Sequence, residues 1–197
     1  MDASIQQKLT QYAHQLLAKR DYSVFEFRQK LMQKRLLLLN RANHLKEDSS
    51  CDSFYAADWV DNALVIDDGL DAFIDEMIET FIQNRYLSDA RYRDQWMELY
   101  RSRYGSHRIL YELSQKGIDP QLINERLDWL TKTEMAACFL VWQKKFDQLP
   151  KTPKENHKQQ QFLIQKGFDF DTISSMLKAV KRDEAIEMDG LDEIPID

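Results

Sequence analysis

Apolar residues recur every three or four positions along most of this 197-residue chain, the period of helices that bury one face. Leu9, Ala13, Leu16 and Leu17 form the first such face. Ser23 stands three residues ahead of Glu26, the spacing of a capping box, and Phe27 and Leu31 follow at four-residue steps. A second helix therefore starts there and runs on through the apolar run from Leu36 to Leu39. Leu70, Phe73, Ile74, Met77, Ile78, Phe81 and Ile82 make a strong stripe with acids opposite, as in a helix packed hard against a module. Ser88 or Asp89 is placed to cap a helix bearing Tyr92, Trp96 and Leu99. Tyr104-Gly105-Ser106 reads as a turn, Ile109 and Leu113 face inward from the next helix, and Asp119-Pro120 starts another with Ile123 and Leu127 inward. The plan then returns: Met135 to Phe146, a Lys/Pro loop over 147–155, a helix to Gln165, and Asp169 or Asp171 capping Ile173 to Val180.

The repetition is visible in the residues themselves. Leu-x-Gln-Lys occurs at Leu31–Lys34, Leu113–Lys116 and Leu163–Lys166, and the last two copies continue in step through Gly117/Gly167, Asp119/Asp169, Ile123/Ile173 and Leu127/Leu177. Gly117 and Gly167 are expected to stop their helices in a left-handed conformation. The first copy has Arg35 where the others have glycine. The fold class expected is all-α, an extended tandem repeat of three-helix modules with an acidic insertion between the first and second. The boundaries expected are a first, partly degenerate module at 5–39, an acidic insertion at 40–69 with a short helix at 52–65, and a helix at 70–87 completing or bridging the first module. A central module follows at 88–130, a third at 131–181, and an acidic tail at 182–197.

Charge sharpens this division. Residues 1–46 hold nine Lys/Arg against three Asp/Glu, whereas 47–84 hold eleven acids and no base. Residues 85–182 return to eighteen bases against twelve acids, and the last fifteen carry seven acids and no base. Mildly basic modules thus alternate with acidic segments, and the total of -6 would not draw a polyanion strongly. Five glycines and four prolines are too few turn residues for a sheet protein of this length. No apolar run is long enough to span a bilayer, and the start lacks the basic flank and apolar stretch of a signal peptide. Cys51 and Cys138 sit in unrelated contexts, so free thiols and a cytoplasmic location are expected.

Catalysis and cofactors find no support in the motifs. His14, His44, His107 and His157 are scattered, neither cysteine has a ligand at zinc-site spacing, and no glycine-rich phosphate loop or nucleophile elbow occurs. No catalytic residue, metal site or cofactor is expected. The chemistry-bearing residues are instead basic and aromatic. Arg93, Arg101, Arg103, Tyr104, Arg108 and Lys116 are the candidate partner-binding set, with Arg93, Arg101 and Arg108 spaced to line one exposed face. Guanidinium groups there would meet carboxylates or phosphates bidentately. The competing reading is solvated helix surface. Asp89, Arg91, Gly105, Gly117 and Gly167 are read as structural, with Arg91 available for an ion pair near Asp89.

These residues also carry a family resemblance. Arg85-Tyr86-Leu87-Ser88-Asp89-Ala90-Arg91-Tyr92, then Arg103-Tyr104-Gly105, Ile109, Glu112-Leu113 and Lys116-Gly117-Ile118 resemble the middle repeat of the RecX regulatory proteins. Leu16 to Ser23 with Phe27 and Lys30-Leu31 resembles the first repeat of that family, and Phe162-Leu163 through Lys166-Gly167-Phe168 and Ile173 the third. The resemblance implies a cytoplasmic regulator that binds the RecA nucleoprotein filament and restrains its ATPase, strand exchange and co-protease activity in the SOS response; a monomer is expected. Weak DNA binding, as in some members, is also implied. Departures are the shorter basic stretch before Tyr104-Gly105, the missing glycine after Lys34, and the long acidic segment at 47–69. A helical nucleic-acid-binding protein and a helical scaffold for another partner stay open as alternatives.

Overall fold

The computed structural model describes residues 3–47, 68–146 and 148–182. Among them the regular structure is helical, and the chain divides into two compact units, Met1–Ser88 and Asp89–Asp197. The short helix expected at 52–65 and the tail beyond residue 182 lie outside the described residues.

The first unit packs α1 (Ala3–Leu17), α2 (Val24–Glu47) and α3 (Asp68–Gln83) around Leu9, Ala13, Phe27, Leu31 and Ile74, all fully buried. The Ser23 hydroxyl accepts the Glu26 N–H at 3.1 Å, which starts α2 by satisfying a donor that no helical carbonyl can reach. With no glycine after Lys34, α2 continues to Glu47. Two ion pairs fasten α2 to α3: Arg35 to Asp71 at 2.7 Å, and Arg28 to Asp75 through two bonds of 2.8 and 3.0 Å. The paired Arg28 guanidinium holds the Asp75 carboxyl below its ordinary range. After α3 the chain reverses at Arg85, whose φ of 60° is left-handed, and the Tyr86 and Leu87 N–H groups both donate to the Phe81 carbonyl.

The second unit contains two modules with separate cores. α4 (Asp89–Tyr100), α5 (Ser106–Gln115), α6 (Pro120–Asn124) and α7 (Leu127–Lys132) enclose Met97, Ile109, Leu113 and Leu130. α8 (Glu134–Lys145), α9 (Pro153–Gln165) and α10 (Phe170–Lys181) enclose Cys138, Leu163, Ile173 and Met176. The sequence repeat extends to individual hydrogen bonds. Gly117 and Gly167 have φ of 72° and 92°. Their N–H groups donate to Ser114 and Ile164 at 2.9 Å, while Ile118 and Phe168 reach back to the carbonyls of Leu113 and Leu163. This is the six-to-one closure of a Schellman motif, made twice. Asp119 and Asp169 then each accept an N–H two residues on, from Gln121 and Asp171.

Three details differ from expectation. The helix begun at Pro120 breaks at Glu125–Arg126, leaving Ile123 buried but Leu127 half-buried. Met97 is fully buried on α4, whereas Leu99 is more than half exposed. The loop at 147–155 is shorter, because Pro153 occupies the first turn of α9 and the Thr152 hydroxyl accepts the Glu155 N–H.

The two modules meet backbone to backbone. The Gly105 N–H donates to the Lys166 carbonyl at 3.0 Å. A Cβ on Gly105 would fall 2.2 Å from the Gly167 carbonyl oxygen, and one on Gly167 would fall 2.4 Å from the Arg108 Cβ. Gly105 has an ordinary φ of -74°, so its need is space alone. Beside this contact, the buried Glu134 carboxylate at the start of α8 accepts both the Ser106 N–H (2.9 Å) and the Ser106 hydroxyl (2.8 Å), capping α5 from the other module.

Thermal and urea unfolding should separate these glycines. Gly117→Ala pays only for the left-handed conformation, about 1 kcal/mol. Gly105→Ala is expected to cost about 2–3 kcal/mol through overpacking, and Gly167→Ala, which incurs both penalties, more than either. Equal losses at Gly105 and Gly117 would show that the joint relaxes freely.

Candidate partner-binding surface

The structure divides the basic candidates into two sets. Arg93 and Arg101 are each 5% exposed and do not line an open face. Arg93 reaches from α4 to the other side of its module, donating to the Leu122 carbonyl and pairing with Glu125 at 2.8 Å and Asp94 at 2.9 Å. Asp94 also receives Arg126 at 3.3 Å. Arg101 pairs with Glu98 at 2.6 Å and lays its guanidinium 4.8 Å from the centre of the Trp129 ring. The long apolar stems of these arginines pack inward where spacing alone suggested an exposed stripe. Lys116, half-buried at the end of α5, sits 5.5 Å over the Trp96 ring. Asp89 and Arg91 are partly buried at the start of α4, and both are engaged in interactions.

Arg103 and Arg108 are exposed, and Tyr104 stands half-buried between them. The Arg108 guanidinium lies 4.2 Å from the centre of the Tyr104 ring, and the Lys166 ammonium approaches it at 5.1 Å. Cations this close to an aromatic face are held electrostatically and remain available to an anion on their outer side. Tyr104 thus gathers cations from both modules of the second unit.

It also opens onto a groove of about 980 Å³ between those modules. Leu140, Val141 and Phe162 supply apolar wall, and Arg103, Lys144, Lys145 and Lys166 supply charge. Among the described residues lining it, none is acidic. Such a groove suits an extended chain bearing carboxylates or phosphates together with apolar groups. Lys144, Lys145 and Lys166 were absent from the candidates chosen by spacing. A signal is visible for Lys166 alone, in the Leu-x-Gln-Lys repeat: Lys34, Lys116 and Lys166 each lie over an aromatic ring, of Tyr12 (5.1 Å), Trp96 (5.5 Å) and Phe162 (5.6 Å) respectively.

Comparison with known proteins fits this arrangement of modules. Residues 88–127 match the family model of the RecX second three-helix domain, and residues 133–177 that of the third. The regulatory protein RecX of Serratia proteamaculans is 31% identical over 174 residues, spanning 84% of this chain and 94% of its own. This chain belongs to the RecX family. The RecX of Chromobacterium violaceum is also 31% identical, over 61% of this chain and 76% of its own. The crystal structure of RecX from Lactobacillus salivarius shares the fold at 19% identity, with a TM-score of 0.62 over 91% of this chain and 99% of that one.

RecX proteins are non-enzymatic regulators, and this chain is of that kind. Among its described residues no cluster of three His, Cys, Asp or Glu is placed to hold a metal, and no helix is long and apolar enough to cross a membrane. Cys138 is not a nucleophile in waiting: burial, with help from the Glu134 charge, pushes its thiol up to about 12.

Two measurements test these assignments. Arg101→Ala should lower the stability of the RecX fold by about 1–3 kcal/mol, since it removes a buried stem and leaves Glu98 and Trp129 without their partner. Arg103→Ala should leave the melting curve within about 0.5 kcal/mol of the parent. In a Cys51→Ser background, Cys138 should resist thiol reagents in the folded protein at pH 9 to 10, then react on denaturation. Because its folded pKa is raised, the stability tied to the neutral thiol is complete below the ordinary value of 9.0 and declines as pH climbs towards about 12. Rapid labelling of the folded chain would mean that the third core opens readily.

Proposed function

We propose that this protein binds the RecA–single-stranded-DNA filament in the cytoplasm. There it restrains ATPase, strand exchange and co-protease activity, and so limits recombination and the SOS response. Family membership across almost the full length of the Serratia relative is the observation that carries this reading. The surface supports it. A filament repeats its sites, and tandem modules that each make a weak contact gain avidity through effective concentration. The exposed cations Arg103 and Arg108, the latter over the Tyr104 ring, are the contacts assigned to the second module. Arg93, Arg101 and Lys116 act behind them as framework.

A second reading, direct grip on nucleic acid, draws on the four cations of the groove. It predicts DNA affinity that falls steeply with salt and needs no RecA. The overall charge of -6 weighs against it.

The test is the DNA-dependent ATPase of RecA from the same organism, with binding to bare single-stranded DNA measured in parallel. Inhibition is expected at concentrations that scarcely bind bare DNA. The Arg103→Glu/Arg108→Glu variant should need about tenfold more protein for equal inhibition while keeping its helicity. No inhibition by the folded parent would remove RecA as the partner. Full inhibition by the double variant would move the contact elsewhere.

A further inference from the structure

The groove between the second and third modules selects its occupant by two criteria: negative charge along its length and apolar groups for Leu140, Val141 and Phe162. One segment of this chain meets both. Residues 183–197 read Asp-Glu-Ala-Ile-Glu-Met-Asp-Gly-Leu-Asp-Glu-Ile-Pro-Ile-Asp: seven acids, no base, and Ile186, Met188, Leu191, Ile194 and Ile196 interspersed among them. We propose that this acidic tail is an internal ligand of the groove, with its carboxylates against Arg103, Lys144, Lys145 and Lys166 and its isoleucines on the apolar wall.

Reach allows it. The C-terminal half of α10, with Ser174, Leu177, Lys178 and Lys181, shares a surface depression with Asn156 and Gln160 of α9, while Phe162 and Lys166 at the far end of α9 border the groove. The ten residues from Asn156 to Lys166 rise about 15 Å. Fifteen tail residues span up to about 50 Å when extended. The tail can therefore run back along its own module and enter the groove with residues to spare. Covalent attachment raises its effective concentration to about the millimolar range, so a weak intrinsic affinity suffices for occupancy.

The consequence is competition. Any anionic segment of a partner that uses the groove must displace the tail first, so the tail sets a threshold for binding. It also shields the basic surface from indiscriminate attachment to polyanions. Unlike the proposed function, this inference needs nothing from RecA, and it is tested without it.

The probe is a fluorescent peptide of residues 183–197, titrated by anisotropy against full-length chains. One chain is the parent. The second has four of its seven tail acids neutralised (Asp189→Asn, Asp192→Asn, Glu193→Gln and Asp197→Asn). The third adds Lys144→Glu and Lys145→Glu to that neutralised tail, both on the exposed end of α8. The peptide should bind the neutralised-tail chain at least about tenfold more tightly than the parent, and the charge reversal should abolish that gain. A peptide with Ile194 and Ile196 replaced by serine should bind about tenfold more weakly. Circular dichroism keeps misfolding apart from lost binding. Equal binding to parent and neutralised chains, or binding untouched by the Lys144/Lys145 reversal, would overturn the proposal. So would loss caused instead by Lys178→Glu/Lys181→Glu, or tighter binding to the same groove by a peptide of residues 48–67.

Discussion

The second unit is organised by the contact of two glycines. Gly105 has no room for a side chain against the Gly167 backbone, Gly167 has none against Arg108, and the Gly105 N–H bonds to the carbonyl just before Gly167. This fixes the start of α5 against the end of α9. The surface follows from it. Arg108, one turn into α5, is set over Tyr104, and Lys166, at the end of α9, is brought to the same ring. The groove beside this joint is lined from both modules.

The repeated lysine shows how one local rule serves two purposes. In each Leu-x-Gln-Lys, the leucine is fully buried and the lysine lies over an aromatic face. The aliphatic part of the side chain covers apolar surface while the ammonium stays near water. Lys34 and Lys116 cover a ring from the preceding helix of their own module. Lys166 covers Phe162 on its own helix and also faces Tyr104 across the joint. The same residue type is therefore internal trim in the first copies and part of a basic surface in the last.

The helices were legible in the sequence because burial period and capping residues pointed the same way: Ser23 before Glu26, and Asp119 and Asp169 each following a glycine stop. The site was less so. Spacing on a helix gives an azimuth, not a depth, and Arg93 and Arg101 share an azimuth with surface residues while burying their stems under Glu125 and Trp129. Gly105 was readable as a turn residue. Its real constraint is a neighbour sixty-two positions away, which no local pattern contains. Lys144 and Lys145 gained meaning only from the groove wall opposite.

The Glu134 carboxylate that closes the α5 N-terminus has a consequence for how such arrays diversify. A repeat whose helix start is completed by its neighbour is not a detachable bead. A copy of the three-helix pattern alone would leave α5 without the acid that completes its start, whereas α2 and α9 begin on their own Ser23 and Thr152. At this joint the acid and its serine form one unit shared by two modules. Between these two modules, a change on either side must preserve the junction as well as the helices.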